Sequence, residues 1–429
     1  MATKSLVAAL AVALTLTGCS GGDAGSDNDT SGGEQITLRY TWWGNDGRAA
    51  ATEKAISLFE DENPGIKVQG EFADFANYWD KLATQTAGGD APDVIQMDMQ
   101  YLAEYAGRGA LLDLSQYDEL DTSGLDPNAL AAGQINDALV GISTGVNAPI
   151  VLANTAMFKE AGIELPDDKT WTWDEYQAIA EKITAAMSDG TYGAESMSND
   201  VDFRVWLRQR GKDMFTDDGK LGFDVADAAS WFAEIKKLSD AGATAKPSEI
   251  IERVTANTDQ RGPAMNKEAM GLYWTNQISG LIESSGSDQT MLRRPSISGK
   301  AEDNGMYYKA SQLFTGSAKT EHPEAVAKFI SFLVNSKEAA QILLVDRGVP
   351  INPSVRESIS GDLALGDTTA LAFIEEIGPE LKPAPPAPPV GGSIGSDLLV
   401  RYTSEVLFGK QTPEEAGQGV VDELNASIS

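Results

Sequence analysis

Among 429 residues there is one cysteine and one histidine. A single thiol excludes an intramolecular disulfide and any multi-cysteine metal site. A metal would have to be held by carboxylates alone, and no Asp-rich calcium loop of the usual spacing is present. The histidine, His322, precedes Pro323 at a predicted helix start, a place for capping or for solvent. No Ser-His-Asp arrangement can be assembled around it. A Gly-x-x-x-x-Gly-Lys phosphate loop is also missing, and nothing calls for a cofactor. Cations are scarce: 33 Lys and Arg stand against 64 Asp and Glu, a formal net charge of −31. That balance argues against nucleic acid and anionic lipid headgroups as partners and favours a neutral or cationic ligand. In so acidic a chain a pair of catalytic carboxylates is always on offer, so glycoside hydrolysis stays open on composition alone.

Long apolar runs are likewise missing, with one exception at the start. Lys4 is followed by Leu6 to Leu14, too short to remain as a bilayer anchor, and the stretch reads as a leader to be removed. Leu16-Thr17-Gly18-Cys19 then resembles the bacterial lipobox, in which cleavage precedes a cysteine that carries lipid. Residues 1–18 are thus expected to be a lipoprotein signal peptide, with Cys19 the lipidated amino terminus. Residues 19–34, rich in Gly, Ser and Asp, contain no large apolar side chain that could repay ordering, and read as a flexible tether. The folded part is therefore expected outside the cytoplasmic membrane, anchored by lipid.

At 42% hydrophobic overall, the chain beyond the tether is long enough for two cores. Ile36 to Thr41 reads as a strand and Arg48 to Glu62 as a helix ended by Asn63-Pro64-Gly65. Ile66 to Gln69 is a second strand, Tyr78 to Thr86 a helix, and Pro92 to Met97 a buried strand. The βαβα order predicts an α/β lobe around a mostly parallel sheet, with ligand at the carboxyl ends of its strands. Thr172-Trp173-Asp174-Glu175 and Thr412-Pro413-Glu414-Glu415 are capping boxes. Val326, Phe329, Ile330 and Leu333 make one apolar helix face. Lys382 to Pro389 is an extended, semi-rigid connector, followed by a flexible Gly391-Gly392.

Tryptophan is the positive signal, with eight in the chain. Aromatic faces stack on the CH faces of pyranose rings, and Asp, Asn and Arg at the ring edge satisfy hydroxyls. Core packing is the competing role for each ring, Trp231 in the predicted helix Ala226 to Leu238 being an example. Adjacent Trp42 and Trp43 end the first strand, and alternation forbids both from entering one core.

Taken together, the chain resembles the family 1 extracellular solute-binding proteins of bacterial ABC importers. The resemblance rests on Tyr40-Thr41-Trp42-Trp43-Gly44, on Tyr78-Trp79-Asp80-Lys81-Leu82 and on Gly89-Asp90-Ala91-Pro92-Asp93-Val94-Ile95. Asn154 with Phe158 to Ile163, Phe215 to Lys220, His322-Pro323-Glu324-Ala325 and Val406 to Ala416 extend it over nearly the whole chain. It implies a two-lobed, type II periplasmic-binding-protein-like α/β fold with discontinuous lobes joined by a hinge. Residues 35–145 and 312–347 would form lobe 1, and 146–311 with 348–429 lobe 2. It implies a monomer that captures a sugar or oligosaccharide between the lobes and hands it to ABC permease subunits, without enzymatic activity. A polyamine or osmolyte is the nearest alternative ligand, and a surface-anchored carbohydrate-active enzyme the third reading.

Carried over residue by residue, the resemblance makes one of Trp42 and Trp43 a stacking ring, with Trp43 preferred. Phe75 and Trp79 would wall the cleft, and Asp98 would accept hydroxyls or merely cap the next helix. From lobe 2 come Trp274 as the stacking ring and Asn276 as amide partner or cap, then Trp206, Arg294 and Tyr308. Met306-Tyr307-Tyr308 stands where the family usually has Gly-Gly, an added stacking surface.

Overall fold

The computed structural model describes residues 35–428, apart from 255, 257 and 387. The leader, Cys19 and the tether fall outside the described residues. β1 (Ile36–Trp43) continues two residues past the apolar pattern and takes in both tryptophans. Strand alternation sends Leu38, Tyr40 and Trp42 into one core and Trp43 to the opposite face. Trp42 stacks on Phe72 at 6.1 Å and 15° and packs on Tyr40 at 4.9 Å. Asn45 accepts from the Arg48 N–H at 2.9 Å and so starts α1 (Asp46–Glu62), which buries Ala55, Ile56 and Phe59. β2 (Ile66–Ala73) returns parallel to β1, from Ile36 opposite Ile66 to Trp43 opposite Ala73. α2 (Phe75–Gly88) begins earlier than the pattern because Asp74 caps it, and Gly89, at φ 75°, ends it. β3 (Val94–Met97) is wholly buried, and Asp98 then caps α3 (Met99–Gly107).

After α4 (Pro127–Ala131), a tight hairpin pairs β4 (Gln134–Ile135) with β5 (Ala138–Leu139). β6 (Ile142–Ser143) joins the first sheet, whose order is β2-β1-β3-β13-β6, β13 being Leu313–Gly316. β13 runs antiparallel to both its neighbours, so this sheet is mixed rather than mostly parallel. The chain leaves it through β7 (Val146–Asn147) and returns through β12 (Lys309–Ala310), two segments that pair antiparallel as a ribbon.

Between those crossings lies the second sheet, of order β11-β8-β10-β9. Its strands are β8 (Pro149–Asn154), β9 (Tyr192–Ala194), β10 (Glu268–Trp274) and β11 (Gln289–Leu292), mostly antiparallel. Helices α5 (Thr155–Ala161), α6 (Trp173–Ala186), α7 (Asp200–Arg208), α8 (Val225–Asp240), α9 (Pro247–Val254) and α10 (Ile278–Ser285) are interleaved with them. The Thr172 capping box is formed, and Trp231 of α8 is fully buried in the second core.

The remaining helices divide between the two cores. α11 (Pro323–Asn335) buries Val326, Phe329, Ile330 and Leu333 as its periodicity requires, and Phe329 meets Phe59 at 4.9 Å. His322 heads this helix without a side-chain cap bond. α12 (Lys337–Leu343) packs on α1, α13 (Pro353–Ile359) on α12, and α14 (Leu365–Ile377) on α10. α15 (Gly395–Leu407) and α16 (Pro413–Ser427), the latter with its predicted capping box, close over α8. Gly391-Gly392 is not a flexible joint. Gly392 is buried, and a Cβ on Gly391 would lie 1.9 Å from the Ser427 carbonyl oxygen, so glycine is needed there for close approach.

The second core also contains charge. Glu268, 2% exposed, pairs with Arg253 at 2.6 Å, and Glu195 pairs with Arg261. Burial, reinforced by the negative Glu195, pushes the Glu268 carboxyl up to about 8 against the pull of Arg253 and Arg261. An acid raised in the folded state binds its proton more tightly there than when unfolded. Its stabilisation is therefore complete below its ordinary value of 4.5 and is lost as pH rises through about 8. The melting temperature is expected to fall between pH 5 and pH 9, and Glu268→Gln to flatten that slope; an unchanged slope in the variant would remove Glu268 as its cause.

Candidate functional site

The parallel strands β1, β2 and β3 end together, so Trp43, Phe75 just beyond Ala73, and Asp98 share one carboxyl edge. An aromatic cluster grows on that edge. Trp43 meets Phe75 at 5.5 Å, Tyr78 at 5.3 Å and Trp79 at 5.5 Å, and Trp79 lies 4.1 Å from Tyr101 of α3. Phe75 is 47% exposed and Trp79 is half-buried, with an indole N–H that has no partner among the described residues. Tyr78 instead faces inward and donates its hydroxyl to the Gln96 carbonyl.

From the second sheet, β10 ends at Trp274, which pairs with Pro149 at the first residue of β8, next to the crossing. Its ring is half-buried, edge-on to Tyr307 at 6.1 Å, with the Lys309 Nζ 5.4 Å from its centroid. Gln277 accepts from the Trp274 N–H at 2.9 Å, so the cap role proposed for Asn276 falls to Gln277. Asn276 is exposed.

A cavity of about 130 Å³ lies at this junction. Asp98, Met99 and Gln100 wall it from the first-sheet side, Asp200 and Arg204 of α7 from the second, and Tyr307 to Ala310 from the ribbon. Asp98 caps α3 by accepting from the Gln100 N–H at 3.0 Å, and it also borders the cavity. The proline-rich segment supplies the remaining wall through Ala384, Pro385, Pro386 and Pro388.

Of the expected site residues only Asp98 and Tyr308 line this cavity; Trp43, Phe75, Trp79, Trp274 and Asn276 lie outside its lining, and so do Trp42, Trp206 and Arg294. Trp42 is fully buried behind β1. Trp206 lies on the inward face of α7 with Phe203 and Leu207, donates its indole N–H to Ser230 at 3.0 Å and is covered by Arg210. Arg294 is 1% exposed and pairs with the equally buried Asp202 at 2.9 Å. Burial outweighs that partner and leaves the Asp202 carboxyl above its usual range. Tyr308 borders the cavity, but its ring packs in the first core with its hydroxyl against Asp126, and burial raises its pKa. Its neighbour Tyr307 is 1% exposed, its ring enclosed by the Arg204 and Arg208 guanidinium carbons at 5.9 and 5.1 Å from its centre and by Trp274 at its edge. Sequence reasoning missed Arg204, Lys309 and Tyr101, which lie on or beside this cavity and the aromatic cluster. For Arg204 a signal existed: Phe203, Trp206 and Leu207 mark the apolar face of α7, and Arg204 falls off that face.

Two sheets with flanking helices, joined by a paired ribbon beside a cavity walled from both sides, define the periplasmic solute-binding class of fold. The chain belongs to the bacterial extracellular solute-binding protein family, whose model matches residues 54–364. That family consists of solute-binding proteins, not enzymes. It is similar to the putative ABC transporter periplasmic-binding protein YcjN of Escherichia coli, 23% identical over 323 residues, 72% of this chain and 71% of that one. The chain spans 41% of the length of another curated relative, an uncharacterized lipoprotein of Streptomyces antibioticus, at 28% identity over 205 residues, 45% of this chain. Among solved structures, an extracellular solute-binding protein of family 1 from Alicyclobacillus acidocaldarius aligns with a TM-score of 0.76 at 27% identity, covering 91% of this chain and 98% of that one. A periplasmic oligogalacturonide-binding protein from Yersinia enterocolitica shares the fold with a TM-score of 0.76 at 24% identity and the same coverage.

Proposed function

We propose that the protein is the extracytoplasmic binding component of an ABC importer, a monomer tethered to the membrane by lipid on Cys19, which captures a carbohydrate between its two sheets and delivers it to a permease. The observation that carries the sugar reading is the pairing of aromatic rings with hydrogen-bonding groups at the junction. Phe75 and Trp79 stand at the carboxyl edge of the first sheet and Trp274 at the end of β10, while Asp98, Asp200 and Arg204 line the cavity beside the ribbon. Rings supply stacking faces and the polar groups take hydroxyls. A polyamine is disfavoured because the protein's own cations sit against these rings: Lys309 at Trp274, Arg204 and Arg208 at Tyr307. Purified protein incubated with labelled oligosaccharides should bind one saturably and return it intact; product formation would support a carbohydrate-active enzyme instead.

Each sheet with its helices acts as a lobe, and the paired crossings β7 and β12 act as the hinge. Small-angle scattering should give a smaller radius of gyration with saturating sugar, and identical profiles would count against closure. Cys19→Ser should release the protein from membrane fractions or leave it unprocessed, whereas full acylation in that variant would end the lipoprotein reading.

A further inference from the structure

The aromatic cluster and the junction cavity stand at the carboxyl edge of the first sheet. A separate cavity of about 340 Å³ lies at its amino edge, within the ~300–1,000 Å³ typical of ligand pockets. Ala91 leads into β3 there, and β13 runs antiparallel to β3 with Gly316 opposite Val94, so Ser317 and Lys319 leave the sheet beside that entry. α2 and α3 also end at this cavity. The residues after each helix take its last carbonyls: Gly89 and Asp90 donate to Thr86 and Gln85 at 3.2 and 2.9 Å, and Gly109 and Ala110 to Ala106 and Tyr105 at 2.9 and 3.0 Å. The helix ends are thereby satisfied, and the oxygens that would repel an anion are already bonded.

The floor of the cavity carries hydroxyls with protons to give. Tyr105 is 6% exposed, and its hydroxyl has no hydrogen-bond partner among the described residues. Ser317 is 1% exposed; its oxygen accepts from the Lys319 N–H at 3.2 Å, and its own proton goes to no described residue. The Thr86 Oγ1 is buried without a partner. Buried polar groups are ordinarily satisfied, so three spare donors at one cavity ask for an acceptor. Charge points the same way. At the rim, Arg108 pairs with Glu104 at 2.6 Å, while the Lys319 ammonium has no ion pair among the described residues. Two cations against one carboxylate leave a single positive charge here, in a chain whose net charge is −31. The methyl groups of Ala83, Ala87, Ala91 and Ala110 supply an apolar wall without polar atoms.

We infer that this cavity is a second binding site, at the opposite edge of the sheet from the junction, and that it takes a small monocarboxylate. Tyr105, Ser317 and Lys319 donate to the carboxylate, and the short apolar body lies against the alanines. The carbohydrate reading of the junction plays no part in this. Calorimetric titration of the purified protein with butyrate, benzoate, the two corresponding amides and inorganic sulfate tests it. At least one acid should bind about tenfold or more tighter than its amide and than sulfate, and should shift methyl signals of the lining alanines in an alanine-labelled NMR spectrum. Ala83→Trp, which fills the cavity from the exposed face of α2, should abolish that binding. Tyr105→Phe, which keeps the ring in its core and removes only the hydroxyl, should weaken it about tenfold. Absence of binding by either acid overturns the site, as does an amide or sulfate that binds as well as the acid. Binding that survives Ala83→Trp places the acid elsewhere and overturns it too. Should Ala83→Trp lower the melting temperature of the unliganded protein, Tyr105→Phe decides, and wild-type affinity in that variant overturns the assignment.

Discussion

Trp274→Ala is expected to weaken carbohydrate binding by about thirtyfold or more, equivalent to ~2 kcal/mol, while leaving the melting temperature of the unliganded protein little changed. The ring ends β10 half-buried, with Tyr307 at its edge and Lys309 beside it. Removing it takes away a stacking face without opening a deep cavity. A Trp packed wholly in a core would instead cost about 3–5 kcal/mol of stability when cut to Ala. Calorimetric titration and unliganded melting of the same variant separate the cases. Wild-type affinity with a collapsed melting temperature would make Trp274 structural and take the second-sheet wall of the site with it.

Arg294→Met is expected to do the reverse. It leaves the Asp202 carboxylate, 2% exposed, without its cation, and breaking a buried pair in this way costs about 3–5 kcal/mol. Urea unfolding should register that loss, while the fraction that remains folded binds sugar with wild-type affinity. A stable variant with impaired binding would restore Arg294 to the ligand site and contradict its placement beneath α7.

These two residues illustrate what could be read from the chain. Helix limits were legible wherever a local signal sets them: Asn63-Pro64-Gly65 after α1, and the capping boxes at Thr172 and Thr412. Trp42 and Trp43 had to part company because a strand alternates, and the core took Trp42. Asp98 was legible as a cap because its side chain serves the next turn of its own chain.

Pairings across long stretches of sequence were not legible. Nothing near Arg294 announces that its partner is Asp202, and nothing in Tyr307-Tyr308 tells which ring turns toward α7 and which toward Asp126. The mixed first sheet arises because β13 enters antiparallel beside β3 only after the chain has completed the second sheet. Gly391-Gly392 looked like slack, yet its purpose is contact with the end of α16, some distance along the chain.

The central claim, capture of a neutral carbohydrate between the two sheets, is tested most directly by thermal denaturation across a library of sugars, polyols and polyamines. A ligand held only by the folded state raises the melting temperature, and more so the tighter it binds. At least one carbohydrate should raise it at micromolar to millimolar concentration, and Trp274→Ala should diminish the shift. A rise with a polyamine such as spermidine and with no carbohydrate would contradict the account.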